Sequence, residues 1–318
     1  MGKFPRLVSL VPRRFEDGDF SGVPRFDFEL RRALPELESV ALTLKTRAWL
    51  KWLAWREPDA IVITANELSI TVPPNLRTIV MHHGCAQTHF DRDPAWRDAK
   101  PRAFCRAQRE MYGLPNRWFA SPAEWTARQF SSHYGVPLSP ILPSWVEPIE
   151  RKPRDQGPKV VLGDFRTANK GSQVVARLRE LAPKLEFRAL KCTYQTRAAA
   201  YAGVDAYLCL SLSEGGSFAL SDAEAARLPL ITTDVGNYVE YASSRVLPWH
   251  RREDAAFVLQ EVEQALASPR GPCFFDEWTF EKWREAWRDL VTEVASTKQR
   301  APVLSAAAVS ELRAGARA

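Results

Sequence analysis

The sequence predicts an α/β protein of two doubly wound halves facing a central cleft, on three observations. Apolar, β-branched runs alternate with segments of helical period along most of the chain. The alternation restarts once, after a stretch rich in proline and charge near residue 150. The length of 318 residues suits two domains, at roughly 150 residues each. Such alternation implies parallel sheets covered by helices on both faces, with ligands held at the carboxyl ends of the strands.

The first half opens with PRLVSLVP (5–12), an apolar run ended by proline, hence a strand. A loop with Gly18 and Gly22 follows, then a helix on which Phe26, Leu30 and Leu34 recur at helical spacing. A strand over 39–45 leads to a helix over 46–58. AIVIT (60–64) and RTIVMHHG (77–84) are continuous and β-branched, as buried strands are. Residues 94–112 read as one polar, basic helix and 116–121 as a strand. Ser121, Pro122 and Glu124 have the spacing of a capping box that opens the next helix. SWVEPIERKPRDQGPK (144–159) reads as the interdomain linker, from its prolines and charges. Beyond it, strands are expected at 159–165, 186–190 and 203–211, a strand and loop at 229–236, and helices at 170–182, 217–228 and 253–268. A helical region over 275–297 closes the ordered chain. The division predicted is 1–148, 149–298 and an alanine-rich tail, 299–318.

Composition narrows the function. Hydrophobic residues are 45% and charged residues 26% of the chain, which excludes a disordered chain or a fibre. No apolar run approaches the roughly 20 residues that span a bilayer. The start lacks the apolar stretch of a signal peptide, and KFPR after Gly2 lacks the hydroxyl residue of a myristoylation signal. The net charge of +6 is spread evenly, 20 basic and 17 acidic residues up to residue 150 and 24 and 21 beyond it. That favours an enzyme of phosphorylated substrates over a nucleic-acid binder. The five scattered cysteines, with no CxxC pair, point to reduced thiols and a cytoplasmic setting. No GxGxxG follows the first strand and no GxxxxGK[ST] occurs, which excludes the ordinary dinucleotide dehydrogenase and the P-loop NTPase.

The most informative stretch is SLSEGGSFALSDAEAARLPLITTDVGNYVEY (211–241). A strand ends, an acid, two glycines and a serine follow, and a helix begins. Backbone N–H groups at such a helix start form an anion site. Gly215 and Gly216 admit a ligand close to the backbone. Glu214 and Asp222, seven residues between them, are placed to meet sugar hydroxyls beside the phosphate. A structural role for both acids, Asp222 complementing the helix dipole, stands beside that reading.

This stretch resembles the E-x7-E signature of the family 4 retaining glycosyltransferases, which have the GT-B fold of two Rossmann-like domains. Glu214 takes the first acid, Asp222-Ala223 the Glu-Ala position, and Pro229-Leu230-Ile231 follows at the expected distance. The second acid is shortened to Asp, and Glu224 is its alternative. LGDFRTANKGSQVVARLREL (162–181) resembles the family segment whose Arg/Lys pair neutralises the donor diphosphate. Lys170 fills the lysine position, and Arg166 supplies the guanidinium from a loop one residue longer. GDFSGVPRFDFEL (18–30) resembles the glycine loop and first helix, bringing Gly22 and Arg25 near the donor phosphates. TIVMHHGCAQTHF (78–90) resembles the strand ending in a histidine at the cleft: His83, with His82 as alternative, is the contact to the transferred sugar. A zinc cluster of His82, His83 and His89 matches no standard spacing. The last helices resemble those that cross back onto the first domain.

The resemblance implies a hexosyltransferase that moves a sugar from a nucleotide-sugar donor to a hydroxyl acceptor, with retention, and with no metal or other cofactor. Lys170, Arg166, Glu214 and His83 would be catalytic. Gly22, Gly215, Gly216, Ser217, Phe218 and Asp222 would bind the donor, Asp222 at the ribose and the backbone of Ser217 and Phe218 at the diphosphate. The acceptor, a glycan, a lipid-linked sugar or a small molecule, stays open. Two alternatives remain: a non-catalytic sugar or nucleotide binder on the same scaffold, and a glycosyltransferase acting on nucleic acid. The helix over 46–56 carries Trp49, Trp52 and Trp55 among basic residues. It reads either as a peripheral membrane contact or, the favoured expectation, as tryptophans packed in the first domain.

Overall fold

The computed structural model describes residues 5–16, 22–98, 101–152, 156–241, 244–268 and 270–305. Gly18 and residues 306–318 of the expected tail lie outside them. The first half runs β1 (Leu7–Val11), α1 (Val23–Ala33), β2 (Glu38–Ala41), α2 (Leu44–Arg56), β3 (Ile61–Ala65), β4 (Arg77–Met81), α3 (Ala86–Arg92), α4 (Pro94–Asp98), α5 (Pro101–Glu110), β5 (Arg117–Ala120) and α6 (Glu124–Tyr134). The second runs β6 (Lys159–Gly163), α7 (Ser172–Leu181), β7 (Leu185–Ala189), α8 (Arg197–Tyr201), β8 (Ala206–Cys209), α9 (Phe218–Ala225), β9 (Leu230–Thr233), β10 (Arg245–Leu247), α10 (Ala255–Ala267), α11 (Phe274–Glu277) and α12 (Phe280–Ser296).

Both sheets are five-stranded and parallel throughout, ordered β2-β1-β3-β4-β5 and β10-β9-β8-β6-β7. Read from β7, the second order repeats the first. The chain reverses direction beside the first strand of each half, the point at which doubly wound sheets open a crevice. Strands β3, β4, β6 and β9 are rich in β-branched residues and largely buried, as the inner strands of parallel sheets are.

The last helix belongs to the first half. On α12, Trp283, Trp287, Leu290, Val291 and Val294 recur at helical spacing. They bury against α1 and the face of the first sheet that carries Ile61, Ile63 and Ile79. Residues 300–305 continue along that half: Arg300 C=O accepts from Asn116 N–H at 2.9 Å, and Tyr112 C=O accepts from Leu304 N–H at 2.9 Å. The tail expected from residue 299 is therefore anchored as far as it is described.

Several other expectations change. Of the expected 94–112 helix, Pro94–Asp98 and Pro101–Glu110 are helical, and Met111–Gly113 turns into a tighter 3-10 form. Ser121 does not cap α6: it bridges to Ile141, and its hydroxyl lies 2.9 Å from His82 Nδ1 and 2.7 Å from Ser139 Oγ. The cap comes from the other domain, where Glu240 Oε1 accepts from Glu124 N–H at 2.6 Å and places a carboxylate at the positive helix end. The expected linker is packed, with Trp145, Val146 and Ile149 buried and Ile149 N–H on Ala225 C=O. Of the three tryptophans on α2, Trp49 is half-buried and Trp52 and Trp55 are exposed, so the expected packing does not hold for two of them.

The halves are joined by charge. Arg25 on α1 donates to both carboxylate oxygens of Asp222 on α9, each at 2.7 Å, and both side chains are fully buried. Around them Tyr194 Oη donates to Glu29 at 2.9 Å, and Arg32 and Arg197 grip the two oxygens of Glu147 at 2.6 and 2.7 Å. Three cations meet three carboxylates. Breaking such a pair from one side strands a buried charge, at about 3–5 kcal/mol. Arg25→Met alone should cost about that much in denaturant unfolding, whereas Arg25→Met with Asp222→Leu should recover most of the loss. Equal stability of the single and double variants would refute this account.

Candidate active site

Loops that leave the carboxyl ends of β1, β4, β6, β7 and β8 wall a cavity of about 510 Å3 between the halves, a volume suited to a small-molecule site. The first half contributes Arg13, Gly22, Val23 and His83. The second contributes Asp164, Arg166 and Lys170 after β6, Lys191 and Cys192 after β7, and Leu210, Ser211 and the residues from Glu214 to Ala219 around the start of α9.

Lys170 ends a single helical turn after β6. Gly171 follows at φ 84, a conformation only glycine adopts freely. A Cβ there would lie 2.5 Å from Leu210 Cβ, so the loop lies flush on the end of β8. Lys170 Nζ is ion-paired with Glu214, and Glu214 Oε1 also accepts from Ser211 Oγ at 2.7 Å. Burial works against the charge on Lys170, but Glu214 outweighs it and holds the ammonium above the usual lysine range. Arg166 lies largely exposed in the cleft and is paired with Asp164 at 2.7 Å. Burial disfavours the charge on Asp164, but Arg166 and Lys170 outweigh it and keep that carboxyl below its usual range. Four cations and two carboxylates face the cavity among the described residues, so it carries an excess of positive charge.

The start of α9 adds dipole and donors. Ser217 caps it, its hydroxyl accepting from Leu220 N–H. Ser217 N–H is taken by Asn237 Oδ1 at 2.7 Å, so the expected diphosphate contact there is already spent. Phe218 and Ala219 N–H carry no hydrogen bond among the described residues and belong to the cavity lining. They supply the helix-start donors instead.

Gly215 and Gly216 line the cavity, but the close approach they permit is to the first domain. A Cβ on Gly215 would lie 2.1 Å from His83 C=O, and one on Gly216 2.8 Å from Pro122 Cβ. Thr126 Oγ1 donates to Gly215 C=O from α6. The two histidines separate. His82 is a core residue, bonded to Ser121 Oγ and Tyr112 Oη at 2.9 Å each and stacked on Phe130. His83 faces the cavity, its N–H held by Asn66 Oδ1 at 2.9 Å, while its Nε2 is buried without a partner. Burial depresses both rings, His82 to about 3 and His83 to about 4. His82, His83 and His89 form no ligand set: among the described residues no group of three or more His, Cys, Asp or Glu side chains is placed to hold a metal ion.

Of the ten residues predicted for the site, Asp222 alone lies outside the cavity lining. It is spent on Arg25, with Arg197 Nε a further 3.8 Å away, so a ribose contact through it is corrected by the structure. Glu224, its alternative, is buried too and accepts from Arg270 and from Phe274 N–H at 2.7 Å each. Sequence reasoning missed Asn237, Asn66 and Arg252. Arg252 is buried and donates to the carbonyls of Leu210, Asn169 and Ala168 at 2.6, 3.0 and 3.0 Å. It clamps together the loops that deliver Lys170 and Glu214. It also pairs with the adjacent Glu253 at 2.8 Å, but the three carbonyls it joins lie 42 to 84 residues away, beyond any local pattern.

No family model matches the sequence, and no curated protein matches it. Solved structures do. Sucrose-phosphate synthase from Thermosynechococcus elongatus matches over 98% of this chain and 98% of its own, at 11% identity and a TM-score of 0.63. The lipopolysaccharide outer core galactosyltransferase WaaB matches over 90% and 99%, at 13% identity and 0.59. WaaG, a glycosyltransferase involved in lipopolysaccharide biosynthesis, matches over 92% and 95%, at 15% and 0.53. At such identities the likeness defines the fold. The chain has the GT-B architecture, two Rossmann-like domains closing on a cleft.

Two outcomes are expected. Arg252→Lys, which keeps the charge but loses the planar fork, should cost about 1–3 kcal/mol and speed amide exchange at 168–171 and 210–214 ahead of the rest of the second domain; uniform exchange would sink the clamp. For the histidines, the folded values lie below the unfolded one of about 6.5, so the unfolded chain binds more protons between them. Stability is then complete above about pH 6.5 and falls as pH drops toward 4. Histidine NMR titration should find both rings neutral at pH 5.5, and a His83 midpoint near 6.5 would contradict the burial argument.

Proposed function

We propose that this chain is a hexosyltransferase that moves a sugar from a nucleoside-diphosphate donor to a hydroxyl acceptor, with retention and without a metal. The observation that carries the reading is the Lys170–Glu214 pair at the start of α9, beside Arg166 and the unspent N–H groups of Phe218 and Ala219, in a cavity walled by both domains. The GT-B glycosyltransferases among the similar structures support it.

In this reading the donor diphosphate lies between Lys170, Arg166 and the α9 start. As the bond from the anomeric carbon to the phosphate oxygen breaks, negative charge grows on the diphosphate, where the cations and helix dipole are already aimed. The acceptor oxygen bonds to the same face of that carbon, and its proton passes to the departing phosphate oxygen. No side-chain base is needed and none is assigned. Both contacts of Glu214 fall on Oε1, which leaves Oε2 for a hydroxyl of the donor sugar. His83, neutral through burial, lines the cavity from the first half and is the residue assigned to contact the same sugar. Gly22, at φ 81, starts α1 across the cavity from these groups. Asp222 takes no part in binding.

A second reading is a non-catalytic binder on this scaffold. It is favoured by the two donor contacts already spent inside the protein, Asp222 on Arg25 and Ser217 N–H on Asn237. Metal-free calorimetric titration with UDP, GDP, ADP and dTDP separates the readings. One nucleotide should bind selectively, and Lys170→Ala should weaken it about tenfold or more. Turnover of the matching nucleotide sugar would establish the transferase, and tight binding with no turnover of any sugar would establish the binder. No binding at millimolar concentration would remove both.

A further inference from the structure

We infer that the solvent face of α2 docks on an anionic lipid surface; the inference stands independently of the sugar-transfer reading. α2 is apolar on two opposite faces. At about 100° per residue, Leu50, Leu53 and Ala54 point to the core, where they meet Val8, Leu10 and Val62. On the far side Leu44, Ala48, Trp52 and Trp55 fall within an arc of about 80°. Leu44 is 83%, Trp52 46% and Trp55 75% exposed.

Charge frames this stripe. Lys45 and Arg56 lie along one edge and Arg47 and Lys51 along the other, all exposed, and no residue of α2 is acidic. The nearby carboxylates are engaged elsewhere, Glu38 and Glu57 by Arg6 and Asp59 by Arg77. The stripe is convex and about 16 Å long.

A polyanion such as nucleic acid would reward the cations and leave two tryptophans and a leucine in water. The interface of an anionic bilayer rewards both, the rings at headgroup depth and the cations against the phosphates. Each cation near such a surface strengthens binding roughly fivefold. Among the described residues no helix is long and apolar enough to cross a membrane, so the contact is one of lying on the surface.

The test is co-sedimentation of the whole chain with vesicles of phosphatidylglycerol and phosphatidylcholine in equal parts, against phosphatidylcholine alone. Binding is expected to the first only, to fall with added salt, and to weaken at least about tenfold in Trp52→Ser/Trp55→Ser and in Lys45→Glu/Lys51→Glu. Both variants change exposed residues and should keep the parent melting temperature and nucleotide affinity. Binding that survives the tryptophan substitutions overturns the inference, as does absence of binding to the charged vesicles. Retention on heparin without vesicle binding would assign the face to a polyanion. A concentration-dependent dimer abolished by the tryptophan variant, without vesicle binding, would assign it to a second copy.

Discussion

The geometry of this molecule hangs on one buried contact, the two-pronged bond between Arg25 and Asp222. Each ion gives up its water at a cost of several kcal/mol, and a pair of this kind adds little net stability over a well-packed apolar one. What it supplies is orientation. Arg25 lies on the first turn of α1, and Asp222 is four residues beyond the start of α9. Joining them in a planar, doubly bonded geometry fixes both helix starts, and both starts face the same cavity. The Phe218 ring lies 4.4 Å below the guanidinium and seals the pair from the cleft side of α9.

The paired glycines complete the closure. At Gly215 the second domain sets its backbone directly on the backbone of His83, with no room for a side-chain carbon between them. That contact brings His83 to the same cavity as Lys170 and Glu214. The site is therefore a property of the closed pair of domains, since the Lys170–Glu214 pair and Arg166 come from one half and His83 and Arg13 from the other. Arg252 and Asn237 perform the corresponding task inside the second half, where one joins two loops and the other fixes the start of α9.

The alternation of strands and helices was legible in the sequence because hydrophobic periodicity is a local signal. Nine of the ten site residues lie at the cavity because they follow strand ends, where a doubly wound fold places its ligands. The failures share a different cause. The partner of Asp222 lies 197 residues away, and the cap of α6 lies 116 residues from the residue it caps. No spacing rule reaches that far. The three-residue strand β10 and the five-residue helix α8 are too short to show a period. On α2 the signal was present but cancelled, because apolar residues on opposite faces leave no preferred side when averaged around the axis.

The return of α12 to the first domain has a consequence for how the chain is made. The first sheet is complete at residue 120, yet the helix that covers one face of it ends at residue 296. At ordinary translation rates of about 5–20 residues per second, that face waits roughly 10–35 s for its cover. During this interval Ile61, Ile63 and Ile79 line an open apolar surface on the nascent chain, while the second domain emerges and folds between the two parts of the first. The order of synthesis thus makes the second domain the first to be finished.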